Sequence, residues 1–235
     1  MSDPLKGIIE EIRADLGYKE SEDLWAASFL CELLRDHPRV LRPEDLPVEE
    51  EVVVVGAGPS IAELPKIVGE LEDSVVYAAD GACRALLELG IVPDVVVTDL
   101  DGPKEYLLMS SECGSITVVH AHGDNVTELA ELVPTLGRIL GTCQVEPPCD
   151  LLHNFGGFTD GDRAVVMAAR LGAERVLTVG MDFGNLTTEY SRPGEGRGVF
   201  RADPVKRKKL AWGERVLRLV ERELGVEVES LTVRR

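Results

Sequence analysis

The chain has 235 residues, 44% hydrophobic and 29% charged, with a formal net charge of −17. That suffices for one large α/β domain, alone or with a small extension. The acidic balance disfavours nucleic acid and anionic membranes as partners. No apolar run is as long as a bilayer span, and the N-terminus does not read as a signal peptide, so a cytoplasmic protein is expected.

Residues 4–16 and 22–36 read as amphipathic helices, with Ile8, Ile9, Ile12 and Leu16 on one face and Trp25, Phe29, Leu30, Leu33 and Leu34 on another. Pro38 ends the second helix, and the Pro- and Glu-rich stretch 37–50 reads as a surface linker. Residues 1–50 are therefore expected to form an N-terminal helical cap, and 51–235 an α/β catalytic domain. The cap is followed by strands at 51–56, 74–80, 95–98, 115–123 and 174–180, with short strands at 136–143 and 150–155. Helices are expected at 61–71, 83–89, 104–110, 126–132, 159–171 and 204–224, and a last strand at 226–233. Val-rich strands alternating with helices predict a Rossmann-like, mostly parallel sheet with helices on both faces. The segment 184–203 is long for a loop of a compact domain and is a candidate lid.

The five cysteines, Cys31, Cys83, Cys113, Cys143 and Cys149, are odd in number and form no CxxC, which predicts free thiols rather than a disulfide framework or zinc site. Cys143 and Cys149 flank Pro147-Pro148 and could pair, the weaker expectation.

The strand DVVVTDLDG, 94–102, organises the rest. Alternation along an extended chain puts Asp99 and Asp101 on the same side, with Leu100 on the other, and the two acids repel unless a cation lies between them. Mg²⁺, the usual companion of substrate phosphates, is the expected cation. Polar and glycine residues gather at the carboxyl ends of successive strands, where α/β sheets bind ligands. They include Gly56, Gly58 and Ser60 in GAGPS, Asp80, the HAHGDN run with His120, His122, Asp124 and Asn125, then Asn154 and Phe158, and Asp182.

GAGPS suits phosphate, because glycines let backbone N–H groups approach an anion and Ser60 can cap the next helix. Ile61 stands where a dinucleotide fingerprint needs a small residue, and the lysine of a P-loop is missing. Asp80 is placed either to bind a ribose, which keeps an NAD-dependent oxidoreductase open, or to complete a metal cluster with Asp99 and Asp101, which is preferred. His120 and His122 read either as a transition-metal pair or as one packed and one cleft histidine, the second reading being preferred. In FGGFTDGDRA, Thr159 is a natural N-cap, Asp160 and Asp162 fall in the first helical turn, and Gly156-Gly157 suggest close approach by a ligand. Arg163 can reach a phosphate or a neighbouring acid. Of the basic run 206–209, one or two residues are candidates to face the cleft.

In this order GAGPS, YAADGA, GIVPDVVVTDLDG, HAHGDN, FGGFTDGDRA and VGMDFG resemble the archaeal-type 6-hydroxymethyl-7,8-dihydropterin pyrophosphokinases, over about residues 22–215. That family is similar in its core to thiamin pyrophosphokinase. The resemblance implies Mg²⁺-dependent transfer of diphosphate from ATP to a pterin hydroxymethyl group, with release of AMP, in tetrahydromethanopterin or folate biosynthesis. It implies that Asp99 and Asp101, with Asp80, hold Mg²⁺. Asp160 and Asp162 would serve a second metal, position a phosphate or orient the hydroxyl. Gly56, Gly58, Ser60, Gly157, Thr159 and Arg163 would line the ATP phosphates. His122, Asp124, Asn125, Asn154, Phe158 and Asp182 would lie near the nucleotide or acceptor. Only about ten residues follow the last long helix, which leaves no room for a β-rich thiamin-binding domain. The alternatives are a non-catalytic nucleotide-binding module and a diphosphokinase with another hydroxymethyl acceptor such as thiamin. A homo-oligomer is left open.

Overall fold

Valine-rich segments without polar alternation form the centre of the protein in the computed structural model, which describes residues 3–191 and 196–231. Among the described residues they belong to one parallel sheet of eight strands: β1 (Glu51–Val55), β2 (Val75–Ala79), β3 (Val95–Thr98), β4 (Ile116–Ala121), β5 (Arg138–Cys143), β6 (Leu152–His153), β7 (Arg175–Val179) and β10 (Glu227–Ser230). Their order is β10-β7-β1-β2-β3-β4-β5-β6, with every pairing parallel. Strands buried on both faces have no reason to alternate, which is why β1, β2 and β3 read as continuous apolar runs, while the edge strand β10 is largely exposed.

Alternate residues point to opposite layers. Val53, Val55, Val96 and Val119 meet α2 (Glu20–Arg35), α3 (Leu64–Leu71), α4 (Ala82–Glu88) and α6 (Val126–Leu132) in one core. Val52, Val54, Val97 and Val118 meet α1 (Pro4–Leu16), α7 (Asp160–Leu171) and α8 (Pro204–Leu224) in the other. α5 (Lys104–Glu112) adds Leu107 to the first core. The two N-terminal helices thus join opposite layers, Leu30 and Leu34 of α2 in one and Ile8, Ile9 and Ile12 of α1 in the other.

The chain runs outward from β1 to β6, then returns through α7 to lay β7 on the other side of β1. The carboxyl end of the β1–β7 pair is therefore the point where strand order reverses, the usual place for a ligand crevice. α7 starts cleanly because Asp162 accepts from the backbone N of Thr159 (2.9 Å) and from its Oγ1 (2.6 Å), and it ends at Gly172, left-handed at φ 118°. Asp203 caps α8 by accepting from Val205 N and Lys206 N.

Some boundaries differ from expectation. The strand expected over 115–123 stops at Ala121, so His122 lies beyond it. Residues Pro59–Glu63 form a 3-10 turn before α3, because Pro65 suits only the first turn of an α-helix. The stretch 184–203 contains a hairpin, β8 (Leu186–Thr188) against β9 (Val199–Arg201). Positions 232 and 233 of the expected last strand lie outside the described residues.

The cysteine reading is corrected. Cys31 of α2 is disulfide-bonded to Cys149, 118 residues away, while Cys83, Cys113 and Cys143 are free. Counting and spacing do not reveal this bond, because α2 reaches β5 and its following loop only through tertiary packing. Under denaturing, non-reducing conditions, alkylation should label three cysteines, and five after reduction. Cys31→Ser should lower stability by about 2–5 kcal/mol, as expected for losing a cross-link that closes a long loop. Labelling of all five without reductant would refute the bond.

Candidate active site

The ends of the central strands surround a cleft of about 560 Å³, in the range of small-molecule sites. At its floor the carboxylate oxygens of Asp80, Asp99 and Asp160 lie within 4.8 Å of one another. β2 delivers Asp80, β3 delivers Asp99, and Asp160 is the first residue of α7. The backbone is bent to bring them together: Asp80 (φ 43°) and Leu100 (φ 72°) are left-handed although neither is glycine. Such conformations cost about 1–3 kcal/mol each and gather at functional sites. Thr98 Oγ1 stabilises both by donating to Asp80 Oδ1 (2.6 Å) and accepting from Leu100 N (2.8 Å). Gly102 leaves the room that Asp80 occupies, since any Cβ there would overlap its carboxylate.

The electrostatics follow from this crowding. Burial, then the charge of Asp99, push Asp80 up to about 6 and Asp160 well above the usual carboxylate range, against the pull of Arg163 on Asp160. Asp101, at the rim, is pushed up to about 7 by partial burial and by Asp99 and Asp80. Asp99 goes the other way. Burial opposes its charge, but hydrogen bonding and charge from His122, with Arg163 behind, hold it well below the ordinary range. His122 sits between two acids, Nε2 3.1 Å from Asp99 Oδ2 and Nδ1 2.7 Å from Asp124 Oδ1. Burial disfavours its charge, yet these acids raise it to about 9, so it is an imidazolium at neutral pH. Arg163 Nη1 donates to Asp160 Oδ1 at 3.1 Å.

Three converging hard-oxygen ligands, two of them driven toward protonation, suit a divalent cation that keeps part of its shell for phosphate oxygens. The expected trio was Asp80, Asp99 and Asp101. Asp160 takes the third place and Asp101 stands beside it, because Leu100 is left-handed and the chain is no longer extended past Thr98.

Other predicted residues divide into those in the cleft and those that build it. Gly56, Gly58, Phe158, Thr159, Arg163, Asp124 and Asp182 line it. The GAGPS turn, however, already holds an anion: Asp182 Oδ2 accepts from Ser60 N (2.7 Å) and Ser60 Oγ (2.8 Å), and Ser60 Oγ accepts from Gly180 N (2.9 Å). A Cβ at Gly56 or Gly58 would press on Gly180 O, so these glycines permit close β1–β7 packing. That closure also removes the dinucleotide reading, as does the place of Asp80 among the acids.

Asp162 is fully buried and caps α7, so its expected catalytic role is withdrawn. Gly157 admits Arg163, and Gly156 admits Leu5, rather than a ligand. Asn154 pins its own loop through Val145 O and Gly156 N. Asn125 donates to Asp99 O and His120 O and accepts from His122 N, holding the acid-bearing loops in register. His120 is packed against Thr142, which realises the one-packed, one-cleft alternative.

Sequence reasoning missed Tyr18, Asp23, Gln144 and Thr187, which also line the cleft. Asp23 carried a signal, since it shares the buried face of Ala27, Leu30 and Leu34, where an unpaired acid has no place. Of the basic run, Lys206 and Lys209 face the cleft, while Lys208 pairs with Asp15.

A family model described as 6-hydroxymethylpterin diphosphokinase MptE-like matches residues 30–188. The chain is 45% identical over 217 residues to the 6-hydroxymethyl-7,8-dihydropterin pyrophosphokinase of Methanothermobacter thermautotrophicus, covering 92% of this chain and 93% of that protein. The proteins of the same name from Methanocaldococcus jannaschii and Pyrococcus furiosus are 37% and 45% identical, covering 92% and 80% of this chain and 94% and 80% of their own. Among solved structures, the MAf glycosyltransferase of Magnetospirillum magneticum shares the fold, with a TM-score of 0.59 and 16% identity over 92% of this chain, which spans 39% of that one. Thiamine pyrophosphokinase from Bacillus subtilis gives a TM-score of 0.43 at 14% identity, over 77% of this chain and 60% of that one.

The raised acids set a pH dependence. Their protonated forms suit the fold, so that contribution to stability is present at low pH and is lost as pH rises through about 6 to 7. His122 acts in the same direction, its contribution being lost as pH rises toward about 9. A bound cation offsets the deficit. Mn²⁺ should therefore raise the thermal midpoint most at pH 8 and progressively less at pH 7 and 6. An increment that is constant or grows on acidification would count against the cluster.

Proposed function

This chain belongs to the 6-hydroxymethylpterin diphosphokinase MptE-like family, and from that premise we propose that it transfers diphosphate from ATP, with Mg²⁺, to the hydroxymethyl oxygen of 6-hydroxymethyl-7,8-dihydropterin, releasing AMP. The observation that carries the reading is the convergence of Asp80, Asp99 and Asp160 on one point of the cleft floor. Held there by these carboxylates, Mg²⁺ would draw charge from the phosphate oxygens.

The chain's own residues have distinct tasks. Lys206 and Lys209, three apart on α8, present one face to the cleft and offer cations to the polyphosphate. Arg163 and His122 fix Asp160 and Asp99, so the two acids meet a substrate already oriented. Asp101, poised near neutrality at the rim, takes the proton of the acceptor hydroxyl. The hydroxyl oxygen bonds to the β-phosphorus, the bond from that phosphorus to the α–β bridging oxygen breaks, and the electron pair leaves on AMP. Family membership favours this over the non-catalytic module, and the relatives' names favour pterin over thiamin.

Purified protein with ATP, Mg²⁺ and hydroxymethyldihydropterin should release AMP in step with pterin diphosphate. Release of ADP, or equal turnover with thiamin, would overturn the assignment. Asp99→Asn and Asp160→Asn should each lower kcat by about 100-fold or more while leaving the protein folded. Lys206→Met should raise the KM for ATP by about tenfold or more, the worth of a charge-assisted contact.

A further inference from the structure

Asp23 of α2 is 3% exposed and accepts from three partners. Its Oδ2 takes Arg13 Nε and Nη2 (3.2 Å each) and Gln144 Nε2 (2.8 Å), and its Oδ1 takes the backbone N of Gly123 (3.0 Å). Arg13 Nη2 also donates to Gln144 O at 2.8 Å, so the buried carboxylate is both charge-paired and hydrogen-bonded.

From Asp23 two arms lead to the acid cluster. The first passes through Gly123 to its neighbour His122, whose Nε2 contacts Asp99. The approach is close: a Cβ on Gly123 would stand 2.8 Å from Glu22 Cβ. The second passes through Gln144 Oε1, 3.4 Å from Arg163 Nη2, and from Arg163 Nη1 to Asp160 Oδ1. The two arms end on two of the three convergent carboxylates.

We infer that Asp23 is a positioning residue for the cation-binding cluster, through which the N-terminal helices set the spacing of Asp99 and Asp160. The inference rests on the cation-site reading above. It does not depend on which acceptor the enzyme uses. An amide at this position keeps the size of the side chain but loses the charge facing Arg13. It also sets an N–H₂ group against either Gln144 Nε2 or Gly123 N, both donors. One arm must break, while the apolar packing of α2 stays in place.

The test is Mn²⁺ binding to the intact free protein, followed by calorimetry without nucleotide or pterin, alongside the Mg²⁺ dependence of turnover. Asp23→Asn should weaken Mn²⁺ binding at least tenfold and raise half-saturating Mg²⁺ by a similar factor. At saturating Mg²⁺, kcat should partly recover, which a general loss of folded protein would not allow. Gln144→Met, which breaks only the second arm, should weaken Mn²⁺ binding by a smaller factor, and it decides the matter if Asp23→Asn does not fold. Wild-type Mn²⁺ affinity in the folded variants, even with a lowered melting temperature, would overturn the inference. Absence of Mn²⁺ binding by the wild-type protein would overturn the cation site along with it.

Discussion

Mutual repulsion among Asp80, Asp99 and Asp160 is the constraint on which the rest of the site depends. Three carboxylates whose oxygens lie within 4.8 Å of one another are unfavourable in a half-buried cleft. The fold holds them there through two left-handed residues, a threonine that bonds across the turn, a glycine that makes room, and cations at the sides. The two left-handed residues oppose local preference and the other devices support them, all at the same cluster of acids. Local conflict tolerated for a shared geometry is the mark of a functional site rather than of a structural ion-pair network.

The same economy explains the glycine turn after β1. A helix-like N-terminus with free amides attracts an anion, and in this chain the anion is internal: the carboxylate of Asp182. The turn thereby welds β1 to β7 at the reversal of strand order. Under the proposed function, phosphate recognition would fall to the acids and the cation they would hold, with Lys206 and Lys209 lining the same cleft from α8. The hairpin of β8 and β9 roofs this end of the cleft, with Thr188 Oγ1 donating to Ala57 O and Tyr190 O lying against Gly81.

Much of the fold was legible in the sequence because strand and helix periods are local properties. Runs such as EVVVV and VVVT have one reading, and Gly172 and Gly225 end their helices where expected. The site was legible as a set of strand-end residues but not as an assignment of roles. Asp162 and Asp160 sit two apart in one motif, yet helical geometry turns one into the cap and the other into the cleft. Asp99 and Asp101 alternate only on an extended chain, and the left-handed Leu100 ends that. Ser60, Asn125 and Asn154 are polar residues near a ligand site that serve the backbone instead. The Cys31–Cys149 bond and the Asp23 network join segments more than 90 residues apart, and only packing reveals such partners.

Anomalous diffraction from a crystal of the protein grown with Mn²⁺ and a non-hydrolysable ATP analogue tests the central claim most directly. A manganese peak should lie at bonding distance, about 2.0–2.3 Å, from carboxylate oxygens of Asp80, Asp99 and Asp160, with phosphate oxygens completing its shell. A peak held by the rim acids Asp101 and Asp124, or phosphates seated in the Gly56–Ser60 turn with Asp182 displaced, would contradict it.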